Sequence, residues 1–213
     1  MRCLLISGGC DCGEDFIKNC FKDGDLVVCA DSGYALCKKA GIVPHMIVGD
    51  FDSYEGGFED LPKSVKVVRL NNRKDDTDTL SCIKMAVEQG CDEFLCVNAL
   101  GGRLDHQYAN LSLLYFLAKN NYTAEISSPR VRVSVICNSS KRFDNVQGKT
   151  FSVFAFGCTG ATVTTKGRVE YPMDKYKMTC DFPVGVSNVF IDDSAEIIAE
   201  NGSVIVMINQ TEV

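Results

Sequence analysis

Short apolar runs alternate with amphipathic segments through residues 1 to about 125, and this alternation predicts strands and helices in turn. Five apolar runs predict buried strands, at Cys3–Ile6, Leu26–Ala30, Met46–Val48, Val65–Leu70 and Phe94–Val97. Four further segments predict helices, at Asp15–Phe21, Tyr34–Ala40, Thr79–Glu88 and Asp105–Lys119. Strands that alternate with helices are typical of a mostly parallel sheet covered by helices. Residues 1–128 are therefore predicted to form a Rossmann-like α/β domain.

The pattern changes near Pro129, where apolar and polar residues begin to alternate with period two. This period is typical of half-buried strands. The predicted strands are Arg130–Val135, Phe151–Ala155, Ala161–Thr164, Ala195–Ala199 and Ser203–Ile208. No long helix is evident after this point. Residues 129–213 are therefore predicted to form a small antiparallel β-sandwich or barrel-like unit.

Composition narrows the class of protein. Hydrophobic residues make up 46% of the chain and charged residues 23%, as in ordinary soluble proteins. The net charge of -6 argues against a nucleic-acid partner, which would require clustered Lys and Arg. The apolar stretch near the N-terminus is too short for a signal peptide or a membrane span. The twelve cysteines include no C-x-x-C pair, so we expect free thiols in a reducing cytoplasm and no membrane association.

Acidic residues recur where predicted strands end. Three strands are followed by Gly49-Asp50-Phe51-Asp52-Ser53, Lys74-Asp75-Asp76-Thr77-Asp78 and Gly101-Gly102-Arg103-Leu104-Asp105-His106, and a fourth by Asp31-Ser32-Gly33. If the strands are parallel neighbours, these clusters lie along one edge of the sheet, where open α/β folds bind ligands. Any one of these Asp residues, taken alone, is better explained as a helix cap or turn residue, but the recurrence of four such sites favours a common site.

The chemistry of the clusters indicates a magnesium-dependent phosphate site. Carboxylates gathered in one cleft repel a polyphosphate unless a divalent cation is bound, and Mg²⁺ prefers oxygen ligands. Lys74 and Arg103 supply positive charge for phosphate oxygens, and Gly101-Gly102 allows backbone amides to approach. His106 is either a phosphate contact or a neighbour of the helix start. The chain has neither the P-loop motif nor the dinucleotide-binding fingerprint, and Gly8-Gly9 is only a weak phosphate-loop candidate.

Taken together, the motifs resemble the thiamine pyrophosphokinase family. The resemblance runs in order along nearly the whole chain, through Ala30-Asp31-Ser32-Gly33, Gly41-Ile42-Val43-Pro44, Gly49-Asp50-Phe51-Asp52-Ser53, Asp75-Asp76-Thr77-Asp78, the Gly101–His106 cluster with Asn110, and Gly185-Val186-Ser187-Asn188. It implies an α/β nucleotide-binding catalytic domain and a C-terminal β-sandwich that binds thiamine and forms a homodimer, with active sites between subunits. The implied reaction is Mg-dependent transfer of pyrophosphate from ATP to the thiamine hydroxyl, giving thiamine diphosphate and AMP.

The resemblance also implies roles for individual residues. The implied metal ligands are Asp31, Asp50, Asp52 and Asp78. The implied groups around the triphosphate are Lys74, Thr77, Arg103, Asp105 and His106, and the implied catalytic carboxylates are Asp50, Asp52, Asp78 and Asp105. Asp52 or Asp78 is the candidate acceptor of the hydroxyl proton. The implied substrate-binding residues are Asp75, Ser187 and Asn188, the last two suited to the thiamine aminopyrimidine.

Two features depart from the family pattern. His45 stands where the family usually has Asp, and we expect it to be structural. The chain contains no Trp, so an aromatic face for thiamine must come from Phe or Tyr.

Two other functions remain open on the residues alone. Asp50-x-Asp52 after a strand is also the arrangement of an aspartyl-phosphate phosphatase, which would form a covalent phosphoenzyme. That function leaves the other acidic clusters unexplained. A metal-dependent nucleotide sensor without catalysis is the second alternative.

Overall fold

The computed structural model describes residues 1–10, 12–51, 61–71 and 76–210. These residues form a mixed α/β fold with extensive β-structure and few helices, which confirms the predicted class at that level. The chain divides into two compact units. The first comprises residues 1–110 and 126–128, and the second comprises residues 111–125 and 129–213. None of the described helices is long and apolar enough to cross a membrane.

The first unit follows the predicted order of strands and helices closely. Its strands are β1 (Arg2–Ile6), β2 (Leu26–Ala30), β3 (Met46–Gly49), β4 (Lys66–Arg69) and β5 (Glu93–Val97). The helices are α1 (Glu14–Cys20), α2 (Gly33–Lys39), α3 (Asp78–Glu88) and α4 (Leu104–Lys119), and the boundary between the units falls within α4. Each of these bounds lies within one residue of the predicted one, because period and boundary residues are local signals.

The strands of the first unit are parallel, in the order β5-β1-β2-β3-β4. Their carboxyl ends therefore share one edge, as the sequence predicted. The core beside this sheet is built from apolar side chains of β1, β2, α1 and α2, including Leu4, Ile17, Val27 and Cys37.

Strand β4 differs from its prediction. The run Val65–Leu70 was expected to be a buried strand, yet Lys66, Val67 and Arg69 are exposed. Among the described strands it lies at the end of the order β5-β1-β2-β3-β4 and has one strand neighbour, β3. An edge position with charged side chains is a common way of limiting unwanted strand pairing.

The second unit is antiparallel wherever its strand pairs are described. Its strands include β7 (Val131–Asp144), β8 (Thr150–Ala155), β9 (Gly160–Lys166), β10 (Tyr176–Thr179), β11 (Asn188–Val189) and β12 (Ser194–Asn209), while β6 (Thr123–Ser127) is divided between the units. Strand β12 pairs with β7, β8 and β9; β9 also pairs with β10, and β8 with β11. A core of aromatic and β-branched side chains includes Phe151 and Phe190, whose rings stack with centroids 4.0 Å apart.

Three features of the second unit depart from the sequence prediction. The two runs Ala195–Ala199 and Ser203–Ile208 form one strand, β12, interrupted by a register shift between Ala199 and Ser203. Strand β7 extends well beyond Val135, through a polar stretch that pairs with β12. Strands β6, β10 and β11 were not predicted; short or charged runs such as these become strands through pairing rather than through their own pattern.

All twelve cysteines lie within the described residues, and none of them is part of a disulfide. Several are buried against one another in the first unit: burial and contact with Cys37 raise the pKa of the Cys29 thiol, and burial raises that of Cys96 to about 12. These thiols are therefore protonated, apolar core residues at neutral pH.

Candidate active site

A cavity of about 520 Å³ lies in the first unit. It is lined by the segments that follow β1, β2 and β5, and by the first turns of α3 and α4. Among the residues that the structure describes, five predicted site residues line it: Asp31, Thr77, Asp78, Arg103 and His106. Its remaining lining is mostly small or polar, and includes Ser7, Gly8, Gly9, Cys10, Ser32, Asp76, Gly101, Gly102 and Asn110. Such a lining leaves room for a ligand's polar groups to reach the backbone.

The strand ends at this edge adopt an unusual backbone conformation. Asp31, Phe51 and Asn98 follow β2, β3 and β5, and all three have positive φ, at 46°, 62° and 53°. Non-glycine residues rarely occupy this left-handed region, and such residues concentrate at functional sites. The conformation turns the chain sharply at the end of each strand.

Asp31 has two close backbone neighbours. A Cβ atom added to Gly49 would lie 2.9 Å from Asp31 Cα, so only glycine fits at the end of β3. The Asp31 N–H donates to the carbonyl of Val48 at 2.8 Å, which continues the pairing of β2 with β3. The position of Asp31 is therefore set by the neighbouring strand.

The Asp31 carboxylate lies in a setting that disfavours its charge. Its Oδ1 atom is buried and has no hydrogen-bond partner among the described residues. Burial raises the pKa of Asp31, and the neighbouring carboxylates of Asp78 and Asp50 raise it further, against opposing backbone hydrogen bonds from Ser32 and Phe51. A bound cation would offset both the cost of desolvation and the repulsion between the carboxylates.

These residues fit a magnesium ion. Within the described ranges, no group of three or more His, Cys, Asp or Glu side chains is arranged to hold a metal. Magnesium does not require such a group, because it commonly takes one or two carboxylates together with water and substrate phosphates. The buried, unpartnered Oδ1 of Asp31 beside two further carboxylates matches that requirement.

Thr77 and Asp78, at the end of the second acidic cluster, begin helix α3. Thr77 is the N-cap residue, and its hydroxyl accepts the Leu80 N–H at 3.2 Å. Asp78 is the first helical residue, where the helix dipole favours a negative charge. Asp76 forms an ion pair with Lys84 at 2.6 Å. Thr77 therefore has a structural role, in addition to lining the cavity.

Arg103 and Asp105 form a two-point pair at the start of α4. Arg103 Nε and Nη2 donate to the Asp105 carboxylate at 3.2 and 2.6 Å, and both side chains are well exposed. The bond from Arg103, helped by the His106 N–H, lowers the pKa of Asp105 to about 2. A carboxylate this acidic is a poor proton acceptor at neutral pH, whereas it orients the guanidinium well.

Asn98 is a buried residue that the sequence prediction missed. Its Oδ1 accepts the Cys12 N–H at 3.2 Å, and its Nδ2 donates to the carbonyls of Ser7 and Gly9 at 2.9 and 2.7 Å. Asn110, noted only as part of a motif, donates to the carbonyl of Ala99 at 2.7 Å. The one sequence signal for Asn98 was an asparagine directly after a strand, where the left-handed conformation is tolerated.

The Gly185–Asn188 motif lies in the second unit. Asn188 is 4% exposed, and its amide binds the backbone of Tyr171: Oδ1 accepts the Tyr171 N–H at 3.0 Å, and Nδ2 donates to the Tyr171 carbonyl at 2.7 Å. Ser187 is exposed and has a φ of 57°. Tyr171 is itself 63% exposed. The Asn188 side chain thus holds an exposed aromatic residue in place.

Three predicted site residues, Asp52, Lys74 and Asp75, lie outside the residues that the structure describes. His45, the first departure from the family pattern, follows the expectation of a structural role: its Nδ1 accepts the Val27 N–H at 3.0 Å.

The geometry of the cavity and its sheet defines a class of protein. A parallel α/β unit with an acidic, glycine-lined cavity at the carboxyl ends of its strands is typical of ligand-binding α/β proteins. Two family models match the chain: "Thiamin pyrophosphokinase, catalytic domain" over residues 17–126, and "Thiamin pyrophosphokinase, vitamin B1 binding domain" over residues 136–204. The chain belongs to the thiamine pyrophosphokinase family.

Individual relatives agree with this assignment. The thiamine pyrophosphokinase of Bacillus subtilis is 24% identical over 189 residues, covering 88% of each chain. Thiamine pyrophosphokinase 2 of Oryza sativa is 24% identical over 200 residues, covering 82% of this chain and 74% of the relative. The crystal structure of the Bacillus subtilis protein has a TM-score of 0.88 at 22% identity over the whole of both chains, which shows a common fold. The yeast enzyme has a TM-score of 0.79 at 17% identity, covering 98% of this chain and 86% of that one.

The chain is therefore an enzyme of this class, and the reaction of the class is transfer of pyrophosphate from ATP to thiamine, giving thiamine diphosphate and AMP. The family prediction made from the sequence motifs is confirmed.

Proposed function

We propose that this reaction is magnesium-dependent and takes place at the cavity of the first unit. The observation that supports the proposal most directly is the Asp31 carboxylate, whose Oδ1 is buried without a partner beside the carboxylates of Asp78 and Asp50. Such a group destabilises the metal-free protein, so a functional reason for it is required. Asp31, Asp50, Asp52 and Asp78 are the candidate ligands, of which one or two would hold Mg²⁺ together with water and substrate phosphates. When bound, the ion neutralises charge on the triphosphate oxygens.

The remaining residues of the first unit bind and orient the nucleotide. Arg103 donates to phosphate oxygens, and Asp105 holds its guanidinium by two hydrogen bonds. Lys74 adds positive charge, while Thr77 and His106 border the triphosphate. Asp105 stays ionised throughout, because its pKa is about 2. The thiamine hydroxyl proton passes to a carboxylate that is not fully engaged with the metal, and Asp52 and Asp78 are the candidates.

Thiamine binds to the second unit in this proposal. Ser187 is exposed and available to hydrogen-bond the aminopyrimidine, with Asp75 as a further substrate-binding residue. Asn188 acts through Tyr171, whose exposed ring supplies the aromatic face that a chain without Trp needs. An exposed aromatic side chain with a clamped backbone binds a flat ring at low entropic cost.

We also propose the finer architecture and assembly that the family implies. Residues 1–128 form a Rossmann-like catalytic domain, and residues 129–213 form a β-sandwich that binds thiamine and mediates a homodimer. Each active site then combines catalytic residues of one subunit with thiamine-binding residues of its partner, in the cytoplasm. The parallel pairing in the first unit and the antiparallel pairing in the second support the two domain classes.

One assay tests the reaction against its rivals. The purified chain is incubated with ATP, Mg²⁺ and thiamine, and the products are quantified with and without a chelator. We expect AMP and thiamine diphosphate in equal amounts, and none of either when the metal is removed. Inorganic phosphate released without thiamine would indicate the phosphatase, and nucleotide binding without turnover would indicate the sensor.

A further inference from the structure

The segment Ser7–Cys10, here called the β1 loop, lines the cavity directly after strand β1. The Ser7 residue is 3% exposed, and its hydroxyl oxygen is buried without a hydrogen-bond partner among the described residues. A buried hydroxyl with no partner is costly unless a ligand satisfies it. The β1 loop therefore has a polar group available to a ligand of the cavity.

The β1 loop is attached to the end of strand β5 by one side chain. Asn98 is 4% exposed and donates two hydrogen bonds to loop carbonyls, those of Ser7 and Gly9. Its oxygen accepts the Cys12 N–H, just beyond the loop. Both hydrogen-bonding ends of the amide are therefore used on a segment about ninety residues away in sequence.

The backbone reinforces this attachment. The Gly9 N–H donates to the Asn98 carbonyl at 2.8 Å, and the Cys10 N–H to the Leu100 carbonyl at 3.3 Å. A Cβ atom at Gly9 would collide with both of those carbonyl oxygens, so glycine is required for this approach. Leu100 precedes Gly101-Gly102-Arg103, which also line the cavity. The contact thus sets the spacing of two cavity-lining segments.

We propose that Asn98 is a positioning residue that holds the β1 loop where it contacts the phosphate groups of the nucleotide, with Ser7 Oγ as a donor to them. The inference rests on the proposed nucleotide site. The small, backbone-rich lining of the loop suits an anion, since glycine residues leave amides accessible and a hydroxyl can donate. Asn98 acts through the loop rather than by touching the substrate.

The left-handed conformation of Asn98 allows a clean test. Glycine adopts a φ of 53° without strain, so Asn98→Gly removes the three side-chain hydrogen bonds and leaves the local backbone conformation accessible. Asn98→Asp keeps the size and the acceptor oxygen but replaces the amide donor by a charge facing two carbonyl oxygens. Asn121→Gly is the matched control, because Asn121 has a φ of 63°, is exposed and does not line the cavity.

Binding is measured by calorimetry with MgATP, tripolyphosphate and adenosine as separate probes, alongside KM values for ATP and thiamine. For Asn98→Gly we expect MgATP and tripolyphosphate to bind about tenfold more weakly, with adenosine affinity and thiamine KM within about twofold of the parent. Amide exchange of the β1 loop should become faster. The Asn121→Gly control should leave all of these unchanged.

Several results would overturn the proposal. If Asn98→Gly binds tripolyphosphate as tightly as the parent does, the positioning role is excluded. If the affinities for all the probes fall equally, Asn98 has a general structural role. If Asn98→Gly does not fold, the same comparison made with Asn98→Asp decides. Because binding is measured without turnover, failure of the reaction assay in the parent protein is distinguishable from failure of this inference.

Discussion

Gly49 lies directly against Asp31, so that a Cβ atom on Gly49 would be 2.9 Å from Asp31 Cα and 3.1 Å from its Cβ. The two residues end neighbouring parallel strands. A glycine at the end of one strand therefore makes room for the carboxylate at the end of the next.

Gly49→Ala should displace Asp31 from its position. The added Cβ atom would meet backbone atoms, which cannot move aside as easily as the end of a flexible side chain. We expect kcat to fall by about tenfold or more, since small misplacements of a catalytic group are costly. Thermal unfolding and steady-state kinetics measure the effect. Gly13→Ala is the control, because a Cβ atom there meets no atom of the described residues within 4 Å. Full activity in Gly49→Ala would show that catalysis does not depend on the position of Asp31.

Asp31→Asn should lower kcat by about 10²-fold, the scale of removing a preorganised electrostatic contact. The same change should leave the metal-free protein as stable or more stable at neutral pH. The pKa of Asp31 is raised in the folded state, so ionisation of this carboxyl group opposes folding. The protonated carboxyl group contributes stability at low pH, and this contribution is lost as pH rises through the folded pKa.

Melting temperatures with and without Mg²⁺ check this assignment. Mg²⁺ together with ATP should stabilise the parent more than it stabilises Asp31→Asn. Asp15→Asn, at an exposed position on α1, is the matched control. If the metal-free Asp31→Asn protein were much less stable than the parent, this would contradict the interpretation that the charge of Asp31 opposes folding.

Glu125→Gln should destabilise the second unit in a pH-dependent way. Burial favours the neutral form of Glu125, but Arg132 at 2.9 Å and Lys141 at 3.2 Å outweigh it and lower the pKa. A lowered pKa contributes stability above the ordinary Glu pKa and loses it as pH falls through the folded value. We expect a loss of about 2 kcal/mol at pH 7, because two partly buried cations lose their partner.

Denaturant unfolding between neutral and acidic pH measures the difference between Glu125→Gln and the parent, which should shrink on acidification. Asp144→Asn, in an exposed pair with Arg142, should change stability little at any pH. A constant difference across the pH range would show that packing, not charge, accounts for the effect.

Tyr171→Ala should raise the KM for thiamine by about tenfold and leave the KM for ATP unchanged, because it removes the exposed ring that Asn188 holds. Tyr171→Phe keeps the ring and should behave like the parent. Tyr176→Ala provides a comparison at another exposed tyrosine of the same unit. A rise in ATP KM alone would contradict the assignment of thiamine binding to this unit.

Mixed dimers test the shared site. Asp31→Asn and Tyr171→Ala chains are unfolded and refolded together, then assayed at subsaturating thiamine. With random pairing, about half the dimers are mixed, and two-fold symmetry gives each one intact site and one doubly altered site. About a quarter of parental activity should return. No recovery despite demonstrated mixed dimers would place all the residues of a site in one chain.

The sequence alone determined the family and the order of the elements β1 to β5 and α1 to α4 of the first unit. Helix and strand periods are local, so α1 to α4 and β1 to β5 were predicted with nearly correct bounds. The positions of Asp31 and Asp78 next to predicted elements were likewise local signals. The alternation of strands and helices also predicted a parallel sheet. It therefore predicted that these residues lie along one edge of that sheet.

Only the tertiary structure decided which groups meet. Asn98 and the β1 loop are separated by about ninety residues, and no period or spacing marks their hydrogen bonds. The ion pairs of Glu125 with Arg132 and Lys141, and the clamp of Asn188 on Tyr171, also depend on strand pairing and turn geometry. Strand β4 proved exposed because of its edge position, although its composition suggested burial. Local sequence sets backbone preference, whereas burial and hydrogen-bond partners depend on which elements the fold makes neighbours.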